Sequence, residues 1–391
     1  MTLRALLTSF ALLAPLPALA QSCGGPFGSF VQGLAREAIA KGHDPAQVSR
    51  FFAAASRTQA VIDADRKQGV FQLDFTSFAR RLISQNRIDN GQKNAARHAD
   101  TFARIQRDYG VPPGILLAFW AFETDYGGYQ GDFNTLNALI TLAHDCRRPE
   151  LFRPQVFAAL SLFEQGDFSP TSTTGAWAGE IGMVQMLPGD ILENGVDGDG
   201  DGHVRLKTSA PDALMSGGRM LRSLGWAPNQ PWLQEITLPA EMDWSQTGLR
   251  TTLSAARWQS LGVRPRSGSW QSTSLPASVI LPQGRHGPAF LAYPNFSVLF
   301  EWNQSFTYVL TAAYFATRLS GAPVFAPGNP DPGLSGPELK ALQQELQRRG
   351  YDVGGVDGIL GEKSREAVQA VQKQLGLPAD AWPTRALLER L

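Results

Sequence analysis

The sequence predicts a mainly α protein (α+β, with a small β-containing subdomain) followed by a separate C-terminal three-helix module. Three observations lead there. Apolar residues recur at helical spacing through much of residues 27–224 and again over 305–319. Residues 232–293 instead break into short runs, Ser278-Val-Ile-Leu281 and Phe290-Leu-Ala-Tyr293 among them, separated by Pro, Gly, Ser and Thr. Residues 326–333, Ala-Pro-Gly-Asn-Pro-Asp-Pro-Gly, cannot continue a helix and read as a linker to residues 334–391. A chain of 391 residues has room for two or three domains.

Taken in order, the N-terminus reads as a processing signal. Arg4 supplies the positive charge, residues 6–16 the apolar core, and Ala18-Leu-Ala20 the small-x-small pattern, with cleavage before Gln21. Residues 1–20 are thus a signal peptide and 21–325 the main region. Phe30, Val31, Leu34, Ala38 and Ile39 repeat at helical spacing until Gly42, and Asp44 caps a second helix over 45–57 entered through Pro45. Residues 73–78 are aromatic and mixed. Residues 90–109 form a strong amphipathic helix, broken by Gly110-Val-Pro-Pro-Gly114, which launches the next. Further helices are predicted over 153–165, 212–224 and 305–319. In the module, Leu339, Leu342 and Leu346 give one helical face and Ala367, Val368, Val371 and Leu375 another, around a Gly/Asp-rich turn at 350–358.

Composition narrows the function. Lys+Arg and Asp+Glu are equal at 35 each, so there is no basic field of the kind a nucleic-acid binder carries. No stretch after the signal is long and apolar enough to span a bilayer. The chain is expected to be exported. Its two cysteines, Cys23 and Cys146, most simply form one disulfide in that setting, two free thiols being the alternative. A lipid anchor on Cys23 is not expected. Five histidines, at 43, 98, 144, 203 and 286, lack zinc-ligand spacing.

Chemistry concentrates in three places. Glu123 ends the apolar run 115–122 inside Phe119-Trp-Ala-Phe-Glu-Thr-Asp-Tyr-Gly127. A carboxyl in aromatic surroundings is desolvated and tends to stay protonated, which a general acid for glycoside cleavage needs; the alternative is a surface glutamate at a helix end. Gln185 is a polar residue within the apolar series Ile181, Met183, Val184, Met186, Leu187, among glycines 175, 179 and 182 that permit close backbone approach. Asp197, Asp199 and Asp201, then Gly202, match the first half of an EF-hand calcium loop, but Thr208 stands where the closing acid belongs. A solvated acidic turn is the alternative.

Glu123-Thr-x-Tyr-Gly127 with Ala178-Gly-x-x-Gly-x-x-Gln185-x-x-Pro188 resembles the lytic murein transglycosylases, whose fold is lysozyme-like; Tyr109-Gly-Val-Pro-Pro113 and Gly195-Val-Asp-Gly-Asp-Gly-Asp-Gly-His203 narrow the resemblance to the B family. The resemblance implies Glu123 as acid/base and Gln185 along the sugar groove, with Trp302, Asn303 and Tyr308 facing substrate. It also implies a calcium loop closed by Asp212, with His203 contributing its backbone carbonyl. Two residues depart from the pattern: Ala176 stands for a common serine, and Glu180 for a small residue. Leu342-Gln-x-x-Leu346, Gly350-Tyr, Asp357-Gly, Gly361 and Ala367-Val-x-x-Val-Gln372 resemble the three-helix peptidoglycan-binding domain, with Ser364 and Val371 as departures and a folded spacer as the alternative.

The implied reaction cleaves the β-1,4 bond between N-acetylmuramic acid and N-acetylglucosamine and leaves 1,6-anhydromuramic acid ends. The alternatives are a hydrolytic muramidase using Asp125 or Glu180 as second carboxylate, and a non-catalytic wall-binding protein. No cofactor is required for the chemistry, a structural Ca2+ aside. The expected partner is the glycan strand of peptidoglycan, met in the periplasm by a monomer.

Overall fold

Helix Pro113–Thr124 is the element the main region is built around. Gly114 through Ala121 are all buried, so this helix is apolar on every side and other helices enclose it. Pro113 at its first turn pre-sets the backbone, and Asp125, in the left-handed region (φ 51°), ends it. Helix Phe306–Leu319 packs along it, and helices Gln85–Arg97, Ala99–Tyr109 and Ala210–Ser223 close other sides. The computed structural model describes residues 23–67 and 73–391; the predicted signal peptide and its cleavage position at Gln21 lie outside them.

Several predicted helices differ in extent. The helix expected over 90–109 is two, broken at His98, whose backbone (φ −110°, ψ 29°) leaves the helical region as its ring packs against Trp120 at 5.6 Å. Helix Pro45–Phe52 is shorter than expected, although Asp44 does cap it by accepting from the Ala46 and Gln47 N–H groups. Helices Gln59–Arg66, Phe75–Leu82 and Thr135–His144 were not anticipated. The last is buried at eight of its ten residues, so it carries no polar face from which a period could be read.

Residues 233–292 hold a five-stranded antiparallel sheet, ordered Leu253–Ser254, Pro276–Ile280, Phe290–Ala292, Leu233–Thr237, Arg264–Pro265. One face carries its own core around Trp258, Val279, Leu291 and Tyr293. Ile280, Phe290 and Leu233 belong to the main core, so the subdomain is anchored.

The module comprises helices Gly336–Arg348, Glu362–Gln374 and Arg385–Leu388 around Leu342, Leu346, Val368, Val371 and Leu387. Leu375, expected in this core, is exposed, because the helix ends one residue before it. The module has its own core yet is docked. Buried Arg365 donates to the Leu281 and Pro282 carbonyls and lies 4.5 Å from the Phe306 ring. Gln369 donates to the Trp244 and Thr247 carbonyls. The linker is packed as well: the Asn329 N–H donates to the His286 carbonyl, and Trp382 donates to the Asp331 carbonyl.

Cys23 and Cys146 form a disulfide across 123 residues of sequence. That bond occupies the sulfur a lipid anchor would need. No helix among the described residues is long and apolar enough to cross a membrane.

Candidate active site

Glu123 occupies the last turn of the central helix, half-buried, with its carboxylate between two donors from the C-terminal part of the main region. Tyr308 OH donates to Oε1 at 2.5 Å and Trp302 Nε1 donates to the same oxygen at 3.3 Å. Both donors are fixed from behind. The Trp302 ring stacks on Phe119 (4.4 Å, 12°), and Tyr308 meets Phe122 edge-on at 6.0 Å. Trp302 ends helix Pro294–Trp302 and Tyr308 lies in the first turn of the next, capped by Ser305. Burial pushes the Glu123 carboxyl up to about 7; the Tyr308 and Trp302 hydrogen bonds oppose this, and the Glu180 charge adds to it. Glu123 also leaves Tyr308 reluctant to ionise, since desolvation and the neighbouring carboxylate both raise the phenol well above its usual range.

The glycine-rich segment is a set of tight turns rather than a helix. Ile181 and Met186 pair through both backbone hydrogen bonds, making a hairpin whose tip holds Gln185 in the left-handed region (φ 54°). Gly182 (φ 82°) is required there, because a Cβ would come within 2.4 Å of Leu206. The Gln185 amide donates to the Gly182 carbonyl at 2.7 Å and, weakly, to the Gln130 carbonyl at 3.4 Å. Thr124 stitches this hairpin to the end of the Glu123 helix by donating to the Met183 carbonyl at 2.7 Å. Gln185 therefore approaches the site through Gln130 and the hairpin, with no direct bond to Glu123. Asn303 is not brought to Glu123 by a hydrogen bond either. Its Oδ1 accepts from the Ser305 N–H at 2.9 Å and shapes the corner between the Trp302 and Tyr308 helices. Asp125 turns outward to pair with Arg87 at 2.9 Å.

In the acidic loop, oxygens of Asp197, Asp199 and Asp212 lie within 4.8 Å of one another. Asp212 is fully buried and accepts from the Gly198, Asp199 and Arg205 N–H groups and the Ser209 hydroxyl. Asp197 accepts from the Gly200, Asp201 and Gly202 N–H groups, and the Gly202 bond leads in holding it below the usual carboxylate range. Asp201 is turned aside to Arg205, and the His203 ring pairs with Asp167 at 2.7 Å. Three of the five predicted ligands converge, and their oxygen chemistry fits a hard cation.

Residues 26–317 match the transglycosylase SLT domain family. The chain belongs to that family. Residues 335–391 of this transglycosylase match the peptidoglycan binding domain family. Among solved structures it is similar to SltB3 from Pseudomonas aeruginosa, crystallised with NAG-anhNAM-pentapeptide: 35% identity, 94% of this chain and 99% of that one, TM-score 0.85. It is also similar to the soluble lytic transglycosylase SltB1 of the same organism, at 25% identity over 74% of this chain and 98% of that one, TM-score 0.66. Membrane-bound lytic murein transglycosylase B of Escherichia coli is 26% identical over 236 residues, 60% of this chain and 64% of that protein, so the match spans less than two-thirds of that relative.

Phe119, part of the aromatic stretch the sequence marks around Glu123, lies one helical turn before it and stacks on Trp302. Gln130 connects Gln185 to the Gly127 carbonyl, and nothing in the sequence marks it.

Proposed function

We propose that this chain is a lytic murein transglycosylase acting on the bond between N-acetylmuramic acid and N-acetylglucosamine. The observation that carries the reading is a carboxyl, Glu123, pushed up to about 7 and oriented by Tyr308 and Trp302. Such a group is protonated enough to act as an acid near neutral pH and ionises readily enough to act next as a base. Glu123 gives its proton to the glycosidic oxygen as the C1–O bond breaks. The muramoyl N-acetyl oxygen stabilises positive charge at C1. The Glu123 carboxylate then takes the proton from the muramoyl C6 hydroxyl as O6 bonds to C1, which restores the acid and consumes no water. The Tyr308 hydroxyl stabilises the carboxylate midway through this cycle. Asp125 is a poor second carboxylate, being committed to Arg87 at the surface.

Mass spectrometry of products released from purified sacculi tests the reading. Anhydro ends are lighter than reducing ends by about 18 Da, one water, so reducing ends alone would make the protein a hydrolase. Glu123→Gln should stop release while leaving sacculus binding intact.

Residues 334–391 serve in this reading to hold the enzyme on its polymer, and residues 1–20 to deliver it to the periplasm, where it works as a monomer. Asp197, Asp199 and Asp212 would hold a structural calcium ion, with no part in the proton transfers.

A further inference from the structure

Tyr308 lies in the first turn of helix Phe306–Leu319, the part of a helix least held by the helix itself. First-turn N–H groups have no intrahelical acceptor, so their place depends on caps and on packing. Here the cap is long, with the Tyr308 N–H donating to Ser305 Oγ at 3.4 Å. Asn303 shapes the corner before it by accepting from the Ser305 N–H at 2.9 Å. Packing supplies the rest, in part through Phe306, which opens the helix two residues before Tyr308 and is 4% exposed.

Phe306 joins the active-site helices to the C-terminal module. Its ring lies 6.4 Å from that of Phe300, in the helix that ends at Trp302. The Arg365 guanidinium of the module lies over the Phe306 ring at 4.5 Å, the shortest cation–ring approach among the described residues. Arg365 is itself well fixed. It is 7% exposed and donates to the Pro282 carbonyl at 2.8 Å and the Leu281 carbonyl at 3.4 Å, just past strand Pro276–Ile280. A guanidinium can do both tasks at once, because its planar face stacks on a ring while its edge donates.

We propose that Arg365 is a positioning residue for the reaction: by seating Phe306 it sets the helix turn from which Tyr308 reaches Glu123. The docked module then does more than hold the polymer, because it completes the packing behind the acid. The route is short and contiguous. Arg365 covers Phe306, Phe306 and Tyr308 share one turn, and the Tyr308 hydroxyl donates to Glu123 Oε1 at 2.5 Å. The inference rests on Glu123 being the acid and adds a demand that its geometry makes on the module.

The test is a double-variant cycle in the full chain, assayed on a short soluble glycan–peptide fragment so that affinity for sacculi does not enter. Arg365→Leu should lower kcat by about threefold to tenfold while KM stays within about twofold. Combined with Tyr308→Phe, it should lower kcat no further than Tyr308→Phe alone, because both act through one hydrogen bond. Arg285→Ala breaks a different docking contact, the 3.2 Å pair with Asp380, and should leave kcat within about twofold of wild type. Thermal melting and circular dichroism check folding. Phe306→Leu, which removes the ring and keeps an apolar side chain, replaces Arg365→Leu in the cycle if that variant fails to fold. Fluorine NMR of fluorotyrosine-labelled protein reads the geometry without turnover. The Tyr308 signal, identified by its loss in Tyr308→Phe, should move in Arg365→Leu and stay in Arg285→Ala. Wild-type kcat or an unmoved Tyr308 signal in folded Arg365→Leu protein would overturn the proposal. So would effects of Arg365→Leu and Tyr308→Phe that multiply, or an equal loss of kcat in Arg285→Ala. Muropeptide release surviving in Glu123→Gln would instead remove the catalytic reading, while the fluorine signal still reports whether Arg365 sets Tyr308.

Discussion

Glu123 and the 197–212 loop show how one chemical group is put to opposite uses within a single domain. Glu123 is held among Phe119, Phe122, Trp302 and Tyr308, with two neutral donors, and burial drives it up to about 7. Asp197 is half-buried and accepts three backbone N–H groups, which drive it below the usual carboxylate range. What separates them is the supply of hydrogen bonds relative to the loss of water. A carboxyl stripped of water and given few donors keeps its proton and becomes an acid. One given many donors stays charged and becomes a ligand.

The difference can be broken most severely at Glu123 itself. Glu123→Gln keeps the Tyr308 contact but has no proton to give, and muropeptide release should fall by about a thousandfold or more. At the loop, the matching change is Asp212→Ala. It strands three N–H groups and a hydroxyl that share one buried carboxylate, and chemical denaturation should show a loss of about 2–4 kcal/mol.

The two regions should also give stability opposite dependences on pH. The Glu123 value is raised in the folded state, so its contribution is whole below the ordinary carboxylate range and lost as pH rises through about 7. Wild type should therefore be less stable than Glu123→Gln at pH 8, on the order of 1–3 kcal/mol, and match it near pH 4. Asp197 is lowered, so its contribution is present above that range and lost on acidification. Equal melting temperatures for wild type and Glu123→Gln at both pH values would show that Glu123 is not desolvated.

Smaller effects sharpen the contrast. Tyr308→Phe removes a donor that favours the charged form, so the alkaline limb should move upward while kcat drops about tenfold. Calcium should raise the melting temperature by about 2–4 °C and EDTA reverse it, without changing the pH profile. A melting temperature indifferent to both would reduce the loop to a solvated turn.

Much of this was readable before any coordinates. Residues 326–333 separated the module, the run from 232 to 293 announced the sheet, and Glu-Thr-x-Tyr-Gly singled out Glu123. The helices at 75–82 and 135–144 were not legible, the first being short and mixed and the second buried on every side. The docking of the module was not legible either, because it depends on Arg365 reaching carbonyls 83 and 84 residues earlier.

The sequence alone settled which residue types lie close along the chain: a carboxyl among aromatics, glycines around Gln185, alternating aspartates. Local spacing suffices there, because helix periods and turn chemistry are properties of neighbouring residues. Only the tertiary structure decided which carboxyls share a site. Tyr308 meets Glu123 across 185 residues, and Asp212 rather than Asp201 joins Asp197 and Asp199. Those choices follow from desolvation and donor supply, which exist only once distant segments have packed together.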